Sequence, residues 1–473
     1  MKHLLIIFSC VLMFSVRAFA ALQADAAWEV RTTGTDTNGG CYDTGGSGTD
    51  YSQQDPAQLS LTDIVVLEAA PTSVTSVVGG FTSAMVDNCL HINSGTNFTA
   101  GWYEITTYTS SNLVTIDRDP TDGDGGDGSA GVGSVGGALL TIDKAGDGYI
   151  SGNAIYVKSG TYIETVTPAT TASDGGSVLW TGYNSTRTDA PTGTNRPLID
   201  CNSSLANGIS MGTVSGHIFK NFRIANCTGA GITDSTTTSY ASRANAFINV
   251  KSSSNTGDGY VRGNSGGGAV FLNSEFASNG GDGADACQGV ASSYAHDNTL
   301  MGIKCMAYLS ISETNASHGF NTTSYNVPYV SNVSNGNTGA STDGFNLSSS
   351  STGNGISGIL INNVASNNGR YGFNRVTSNV SNYYVDFNDT YLNSTSAFNN
   401  IGTNVRGEGM LTADPTFTDS GNGDYTYASS STMINTGTPQ SVQGATGDYQ
   451  VSIGVDQDDN VAAGAGAGGL CGF

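Results

Sequence analysis

The 473-residue chain contains few charged residues and few prolines. Charged residues make up 12% of it, about half of the roughly 25% usual in soluble proteins, and only 9 residues are proline. The charge is also one-sided, with 17 Lys and Arg against 39 Asp and Glu and a net charge of -22. Nucleic acids and anionic membrane surfaces are bound by basic patches, so we expect neither as a partner.

The start of the chain carries a short apolar run. Lys2 precedes a short apolar run that ends in Ala18-Phe19-Ala20, the small-x-small form of a cleavage site. Residues 1–20 therefore predict a secretory signal peptide, with a membrane anchor as the alternative. No later stretch is long and apolar enough to span a membrane. We expect a secreted or cell-surface protein that does not insert into the membrane once the signal is removed.

Glycine, by contrast, is abundant, with 65 residues. Between about residues 207 and 395, a glycine followed by an apolar or small residue recurs at intervals of 17 to 28 residues, from Gly208-Ile209 to Gly372-Phe373. Each interval also holds a short apolar run followed by an Asn-bearing turn. Periods in this range are typical of solenoids, and runs bounded by Asn and Gly predict strands and turns.

Stacked coils of this kind would place equivalent residues about 4.8 Å apart. We expect Ile209 over Ile232 and Phe320 over Phe345 in the core. Asparagine at a recurrent turn tolerates left-handed backbone and can hydrogen-bond to its equivalents above and below. The predicted ladder consists of Asn226, Asn255, Asn279, Asn337 and Asn368.

Several segments resemble the right-handed parallel β-helix proteins of the pectin-lyase-like superfamily. The strings WEVRTTGTDTNG at 28–39 and AGDG followed by AIYVKSGTYIETV within 138–167 are similar to the opening of secreted members. Residues 413–438 resemble their closing segment. The resemblance implies an all-β, right-handed parallel β-helix, but it does not fix an activity, because the superfamily includes lyases, hydrolases, adhesins and viral spikes.

This fold divides the chain into consecutive parts. Residues 41–137 separate the leading strand from the first coil and contain strand-like runs, which predict a β cap or subdomain at the N-terminal end. The expected organisation is a signal peptide at 1–20, a leading strand and cap at 21–137, the β-helix at 138–412, a closing segment at 413–460 and a Gly/Ala-rich tail at 461–473.

Acidic residues suggest calcium as a possible cofactor in two places. The loop DRDPTDGDGGD combines Asp with Gly, as calcium sites do, although no Glu closes it as in an EF-hand; its carboxylates belong to Asp117, Asp119, Asp122, Asp124 and Asp127. Asp258 and Asp282 precede equivalent glycines, so stacking would bring them together and require a cation, a shared proton or outward splay. Asp285 and Glu275 could join them. Solvated turns are the alternative for both groups.

The resemblance also implies a candidate catalytic pair. The string INVKSSSN around Lys251 is similar to the strand of alginate-lyase and chondroitinase-B-like β-helices in which the Lys is the base. Their acid is an Arg about one coil later, whereas Arg262 lies only 11 residues on. An outward-facing structural Lys251 is the alternative. Of the five histidines, His296 beside Asp297 is the one that could contribute to chemistry.

Tyrosines and cysteines complete the candidates. Rings can stack on pyranose faces, and the tyrosines of the later coils could form a carbohydrate platform unless they are core residues; they are Tyr308, Tyr329, Tyr371, Tyr383 and Tyr384.

Cys201 and Cys227 lie about one coil apart and are the main disulfide candidates, with Cys41–Cys89 and Cys287–Cys305 as further pairs. Seven cysteines remain after the predicted signal, so Cys471 is the expected odd thiol.

Three functional hypotheses follow. The first is a non-catalytic secreted or surface protein that presents the β-helix to carbohydrate or another surface. The second is a calcium-assisted lyase acting on a uronic acid polymer through Lys251 and Arg262. The third is a structural fibre or spike element that self-associates.

Overall fold

The computed structural model describes residues 25–455 apart from 122, 124–125, 173–175, 236–243, 264–267, 323–326, 348–355, 377–380, 402–406, 408, 438, 442–447 and 451–453. The predicted signal peptide, Asp122, Asp124 and the tail with Cys471 lie outside the described residues.

Three sheets of short parallel strands run along the molecule and form a parallel β-helix, as predicted. Sheet 1 begins with an antiparallel pair and continues in parallel; its strands in spatial order are Cys41–Asp43, Ala26–Val30, Ala154–Lys158, Val178–Tyr183, His217–Lys220, Ala246–Ile248, Val270–Leu272, Gly289–Ala291, Met306–Tyr308, Tyr329–Val330, Ile356–Ile361 and Ser381–Asp386. Sheet 2 consists of Thr161–Tyr162, Leu198–Asp200, Arg223–Ala225, Lys251–Ser253, Glu275–Ala277, Tyr294–His296, Ile311–Glu313, Val333–Asn335, Val364–Ser366 and Asp389–Tyr391.

Sheet 3 is formed by two groups of parallel strands that Ile303 connects through bridges to Ala284 and Phe320. The first group is Ile209–Ser210, Ile232–Asp234, Tyr260–Arg262 and Ala284–Asp285. The second is Phe320–Asn321, Phe345–Leu347, Tyr371–Arg375 and Ser396–Asn399.

Equivalent residues stack in the core between these sheets. Ile209 is the register partner of Ile232, and Phe320 that of Phe345, as the repeat predicted. A second aromatic stack lies in sheet 1, with ring centroids 5.1, 5.4 and 5.0 Å apart along Trp180, Phe219, Phe247 and Phe271. Burial of such rings stabilises the coils.

A buried asparagine ladder follows the turn after sheet 2. Each side-chain amide donates to the Oδ1 of the next at 2.8 to 3.0 Å, through Asn255, Asn279, Asn298, Asn315, Asn337, Asn368 and Asn393. The assignment of Asn226 to this ladder was wrong. Asn226 has a left-handed φ of 60° and donates to Asp200 Oδ1, while the ladder position of its coil is Cys227, whose N–H donates to Asn255 Oδ1.

Residues 59–135 form a closed six-stranded antiparallel barrel at the N-terminal end. Its strands in spatial order are Leu59–Val66, Ser73–Thr75, Leu113–Ile116, Gly101–Ser110, Cys89–Thr96 and Gly128–Val135. The barrel has its own core, but Trp102 packs edge-on against Trp28 of sheet 1, with centroids 5.2 Å apart. Together with the short α-helix Ile142–Ala145, Trp102 covers the end of the β-helix core.

The segment after the last coil folds back along the molecule. The strands Phe417–Asp419 and Asp424–Tyr427 form a hairpin, and Pro439–Ser441 pairs with Asp448–Gln450. Tyr425, Tyr427 and Met433 pack on Val333 and Val364 of sheet 2. Short 3-10 turns lie at Tyr51–Gln53, Ser83–Met85, Gly193–Asn195 and Ser420–Asn422.

Three disulfides lie in the described part of the chain. They join Cys41 to Cys89, Cys201 to Cys227 and Cys287 to Cys305. Within the same residues, no helix has the length and apolar character needed to cross a membrane.

Candidate functional site

The outer surface of sheet 2 carries a group of polar side chains on successive coils. Side chains alternate along each strand, so Ile224, Phe276 and Ala295 point into the core and their neighbours point outward. The group, called here the sheet 2 polar face, consists of Arg223, Lys251, Glu275 and Tyr294 in one row and His296 and Glu313 in the next.

Glu275 connects the members of this face. Its Oε1 lies 2.6 Å from Lys251 Nζ and 3.1 Å from His296 Nε2, and His296 Nδ1 lies 2.8 Å from Asp297 Oδ2. Burial opposes ionisation of Glu275, but hydrogen bonds from His296 and Lys251 outweigh it and lower the pKa of Glu275 to about 2. Burial likewise opposes the charged form of His296, yet Glu275 and Asp297 raise its pKa. The cluster therefore favours a carboxylate between two cations.

Tyr294 adds an aromatic ring to the face. The ring stacks on His296 with centroids 4.3 Å apart, and its hydroxyl donates to Glu313 Oε1. Burial, followed by the contact with Glu313, raises the pKa of Tyr294, and burial raises the pKa of Glu313. The pair thus supplies a donor and a carboxyl group beside the charged cluster.

Arg223 is the least compensated cation of the face. Its guanidinium donates to two carbonyl oxygens, those of Arg196 at 3.2 Å and Thr194 at 3.1 Å. Among the residues that the structure describes, no carboxylate forms an ion pair with it. Arg223 is half-buried, so it can still meet an anionic or hydroxylated ligand.

The C-terminal hairpin limits the polar face at one end. Beyond Tyr294, the same outward row continues with Ile311, Val333 and Val364, which the hairpin region covers. Gly423 lies against the Tyr294 hydroxyl. The hairpin therefore borders the charged part of the sheet 2 polar face and leaves that part uncovered.

The structure does not bring the predicted catalytic pair onto one sheet. Lys251 is on sheet 2, whereas Arg262 is on sheet 3 as the register partner of Asp234. Lys251 has Arg223 as its partner in the preceding coil and Glu275 in the following one. The arginine adjacent to Lys251 in register is therefore Arg223, which sequence spacing alone did not indicate.

Asp258 and Asp282 lie in consecutive coils, and a lysine pairs with the second of them. Asp258 Oδ1 accepts the N–H of Asp282 at 2.6 Å, and Asp282 Oδ1 accepts the N–H of Met301 at 2.8 Å. Lys304 Nζ lies 3.0 Å from Asp282 Oδ2 and 2.7 Å from Asp285 Oδ1. Lys304 thus compensates Asp282 and Asp285, and a calcium role for Asp258 and Asp282 stays a prediction.

The described residues of the acidic loop have separate partners. Asp117 pairs with Arg118 at 2.5 Å, Asp119 accepts the N–H of Thr121 at 2.8 Å, and Asp127 accepts the N–H of Glu68 at 2.9 Å. The role of this loop in calcium binding stays a prediction.

The five candidate tyrosines do not share one surface. Tyr329 is fully buried, with its ring 5.5 Å from that of Phe320, so its assignment to a carbohydrate platform was wrong. Tyr308 and Tyr384 are exposed on sheet 1, and Tyr371 lies on sheet 3 with the Arg370 guanidinium over its ring. The side chain of Tyr383 lies outside the described part of the structure.

Comparison with known proteins adds likenesses of fold. The pectate lyase Pel9A is 16% identical with a TM-score of 0.47, covering 68% of this chain and 91% of its own. A rhamnogalacturonan lyase is 11% identical with a TM-score of 0.39, covering 60% and 86%. An alginate lyase from Paenibacillus sp. str. FPU-7 is 8% identical with a TM-score of 0.35, covering 57% and 95%. No protein-family model and no curated protein matches the sequence. The chain is a parallel β-helix protein, and at these identities the likeness extends to the fold alone.

Proposed function

We propose that the protein is a polysaccharide-binding β-helix that holds its ligand on the sheet 2 polar face, without catalysis. The observation that carries this proposal is the placement of Arg223, Lys251 and His296 on one face of neighbouring coils in a chain of net charge -22. Basic residues are scarce in this chain, so their grouping makes this face less acidic than the chain as a whole.

The chemistry of the face suits a sugar polymer. Arg223 and Lys251 can donate to hydroxyl or carboxylate oxygens, Glu275 can accept from hydroxyls, and the Tyr294–His296 stack borders them. Parallel strands fix these groups at the regular spacing of about 4.8 Å. A ligand that repeats along its length could therefore make similar contacts at several coils.

Binding to a panel of neutral and uronate-containing polysaccharides tests the proposal. We expect preference for carboxylated polymers, weakening with salt because the charges are partly exposed. Arg223→Ala and Lys251→Ala should each reduce affinity about fivefold or more, the size of a significant binding contact. Lys220→Ala, on sheet 1, is the matched control. Failure of every polymer to bind, or equal binding by all variants, would contradict the proposal.

A lyase activity on the same face is the second candidate, because Arg223 and Lys251 are register partners. β-Elimination needs a base for the proton next to the carboxylate, an acid for the leaving oxygen and a cation that neutralises the carboxylate. Lys251 would first have to leave its ion pair with Glu275 to act as the base. Unsaturated product should then accumulate with wild-type protein and Lys220→Ala but not with Lys251→Ala. Absence of product from uronate polymers, with or without chelator, would exclude this candidate.

A further inference from the structure

Three carboxylates meet where the barrel joins the β-helix. Asp43 ends the edge strand of sheet 1, Asp87 precedes the barrel strand Cys89–Thr96, and Glu104 lies on the barrel strand Gly101–Ser110. One oxygen from each carboxylate can be chosen so that all three lie within 4.8 Å of one another. None of these residues belongs to the acidic positions singled out from the sequence.

The backbone holds this group together. The N–H of Asp43 donates to the carbonyl of Asp87 at 2.8 Å, and the N–H of Asp87 donates to the carbonyl of Ile105 at 2.7 Å. The Cys41–Cys89 disulfide joins the two strands beside them. The three carboxylates are thus positioned by main-chain and covalent links and need no contact with one another.

Glu104 is the carboxylate that lacks a partner. It is only 6% exposed, and within the described residues nothing donates a hydrogen bond to its side chain. Asp43 accepts the N–H of Gly45 at 2.9 Å, and Asp87 accepts those of Ser47 and Gly48 at 2.6 and 3.0 Å. An unpartnered carboxylate that is this buried and points at two others is costly unless a proton or a cation joins it.

The surrounding charges offer Glu104 little compensation. The nearest charged groups around it are further carboxylates, those of Asp43, Asp117 and Asp87. Arg118 is bound to Asp117 Oδ2 and to the carbonyl of Trp102. The carboxylate of Glu104 therefore has no compensating positive charge among the described residues at this junction.

We propose that Asp43, Asp87 and Glu104 bind a calcium ion. Calcium prefers carboxylate and carbonyl oxygens at about 2.3–2.6 Å, so two oxygens on one ion can lie up to about 5 Å apart, whereas for magnesium the limit is about 4.2 Å. The three oxygens lie within 4.8 Å of one another, inside the span of one calcium ion. Calcium also tolerates flexible ligand geometry, whereas magnesium demands a near-ideal octahedron. Because Asp43 belongs to sheet 1 and the other two to the barrel, the ion links the barrel to the first coil.

Calcium titration of the chelator-treated full-length protein tests the site. Calorimetry should show binding that Glu104→Gln weakens on the order of tenfold or more, as loss of a charged ligand predicts. Wild-type Tm should rise with calcium by mass action. Without calcium, Glu104→Gln should melt at or above the wild-type temperature, because it removes like-charge repulsion, and calcium should then shift its Tm little.

Asp147→Asn, at an exposed carboxylate outside every candidate calcium site, is the matched control and should keep the wild-type calcium response. Asp87→Asn gives an independent test of the ligand set and should weaken binding as Glu104→Gln does. No calcium binding by the wild type at millimolar concentration, or an unchanged affinity in Glu104→Gln, would overturn the proposal. A magnesium affinity equal to that for calcium would overturn the assignment of the ion. None of these outcomes depends on polysaccharide binding.

Discussion

At Glu275, burial and hydrogen bonding act in opposite directions on one carboxylate. Burial favours the neutral acid, while His296 and Lys251 favour the anion and lower the pKa of Glu275 to about 2. The same contact raises the pKa of His296, against the effect of its own burial. The two shifts agree in sign, since each partner stabilises the charged form of the other.

Glu275→Gln should lower the pKa of His296, because burial then opposes only the remaining contact with Asp297. NMR titration of the histidine side chains measures this change, with His318 as an internal control in another part of the β-helix. An identical His296 titration in both proteins would contradict the ion pair.

The same pair contributes to stability in a defined pH window. The contribution of Glu275 is present above its unfolded pKa of 4.5 and is lost as pH falls toward about 2. The contribution of His296 is present below its unfolded pKa of 6.5 and is lost as pH rises through its raised folded pKa. The stability difference between wild type and Glu275→Gln, measured by urea unfolding, should therefore be largest between about pH 4.5 and 6.5.

Sequence alone identified part of the polar face. Lys251 stood out through a local string, and His296 through the acid that follows it. Arg223, Tyr294 and Glu313 carried no local signal, because their relation to Lys251 depends on register between coils of unequal length. The Glu104 cluster was missed because Asp43 lies on sheet 1 and Glu104 on the barrel, and nothing in the sequence shows that these two elements are adjacent.

Among the elements, the asparagine ladder shows how a coil is held to its neighbours. Asn298 donates to the carbonyl of Phe276 and to Asn315 Oδ1, and it accepts from both the N–H and the side-chain amide of Asn279. All of these groups are buried, so each depends on the ladder for its hydrogen bonds.

Asn298→Ala should reduce the free energy of unfolding by about 3 kcal/mol or more, because it leaves several buried polar groups unpaired at about 1–3 kcal/mol each. Chemical denaturation measures the loss. Thr299→Ala, at the exposed neighbour, should change stability by about 0.5 kcal/mol or less. Equal effects of the two substitutions would show that the ladder adds little to stability.

The repeat predicted the stacked core better than it predicted the ladder. Strand pairs such as Phe320 and Phe345 follow recurring glycines, which mark the coils directly. The asparagines occur next to one another in several turns, and Asn226 occupies the left-handed position one residue before the ladder. Asn298, Asn315 and Asn393 were missed because they lie in coils whose flanking strings differ from the rest.

For the molecule as a whole, the C-terminal segment replaces solvent over an apolar part of sheet 2. Val333 and Val364 are fully buried beneath Tyr425, Tyr427 and Met433, although their row faces outward. Deletion of residues 413–473 should expose this patch and cause self-association, because large exposed apolar patches promote association.

Light scattering after size exclusion measures the outcome of that deletion. Removal of residues 456–473 alone is the control, since it keeps every contact described for the cluster and should leave the association state of the full chain unchanged. A truncated protein that stays in the wild-type state would show that the patch does not drive association. The fibre hypothesis is separate and predicts self-association of the intact chain.

Within one coil, the number of residues between register partners is the same in all three sheets, and this has a consequence for how such a protein can change in evolution. Phe247 and Phe271 in sheet 1, Lys251 and Glu275 in sheet 2, and Tyr260 and Ala284 in sheet 3 are paired at the same separation of 24 residues. Asn255 and Asn279 of the asparagine ladder are also 24 residues apart. If the segment that encodes one coil were duplicated or lost, the coils above and below the change would still pair through equivalent residues. The β-helix can therefore lengthen or shorten by whole coils while its cross-section stays the same.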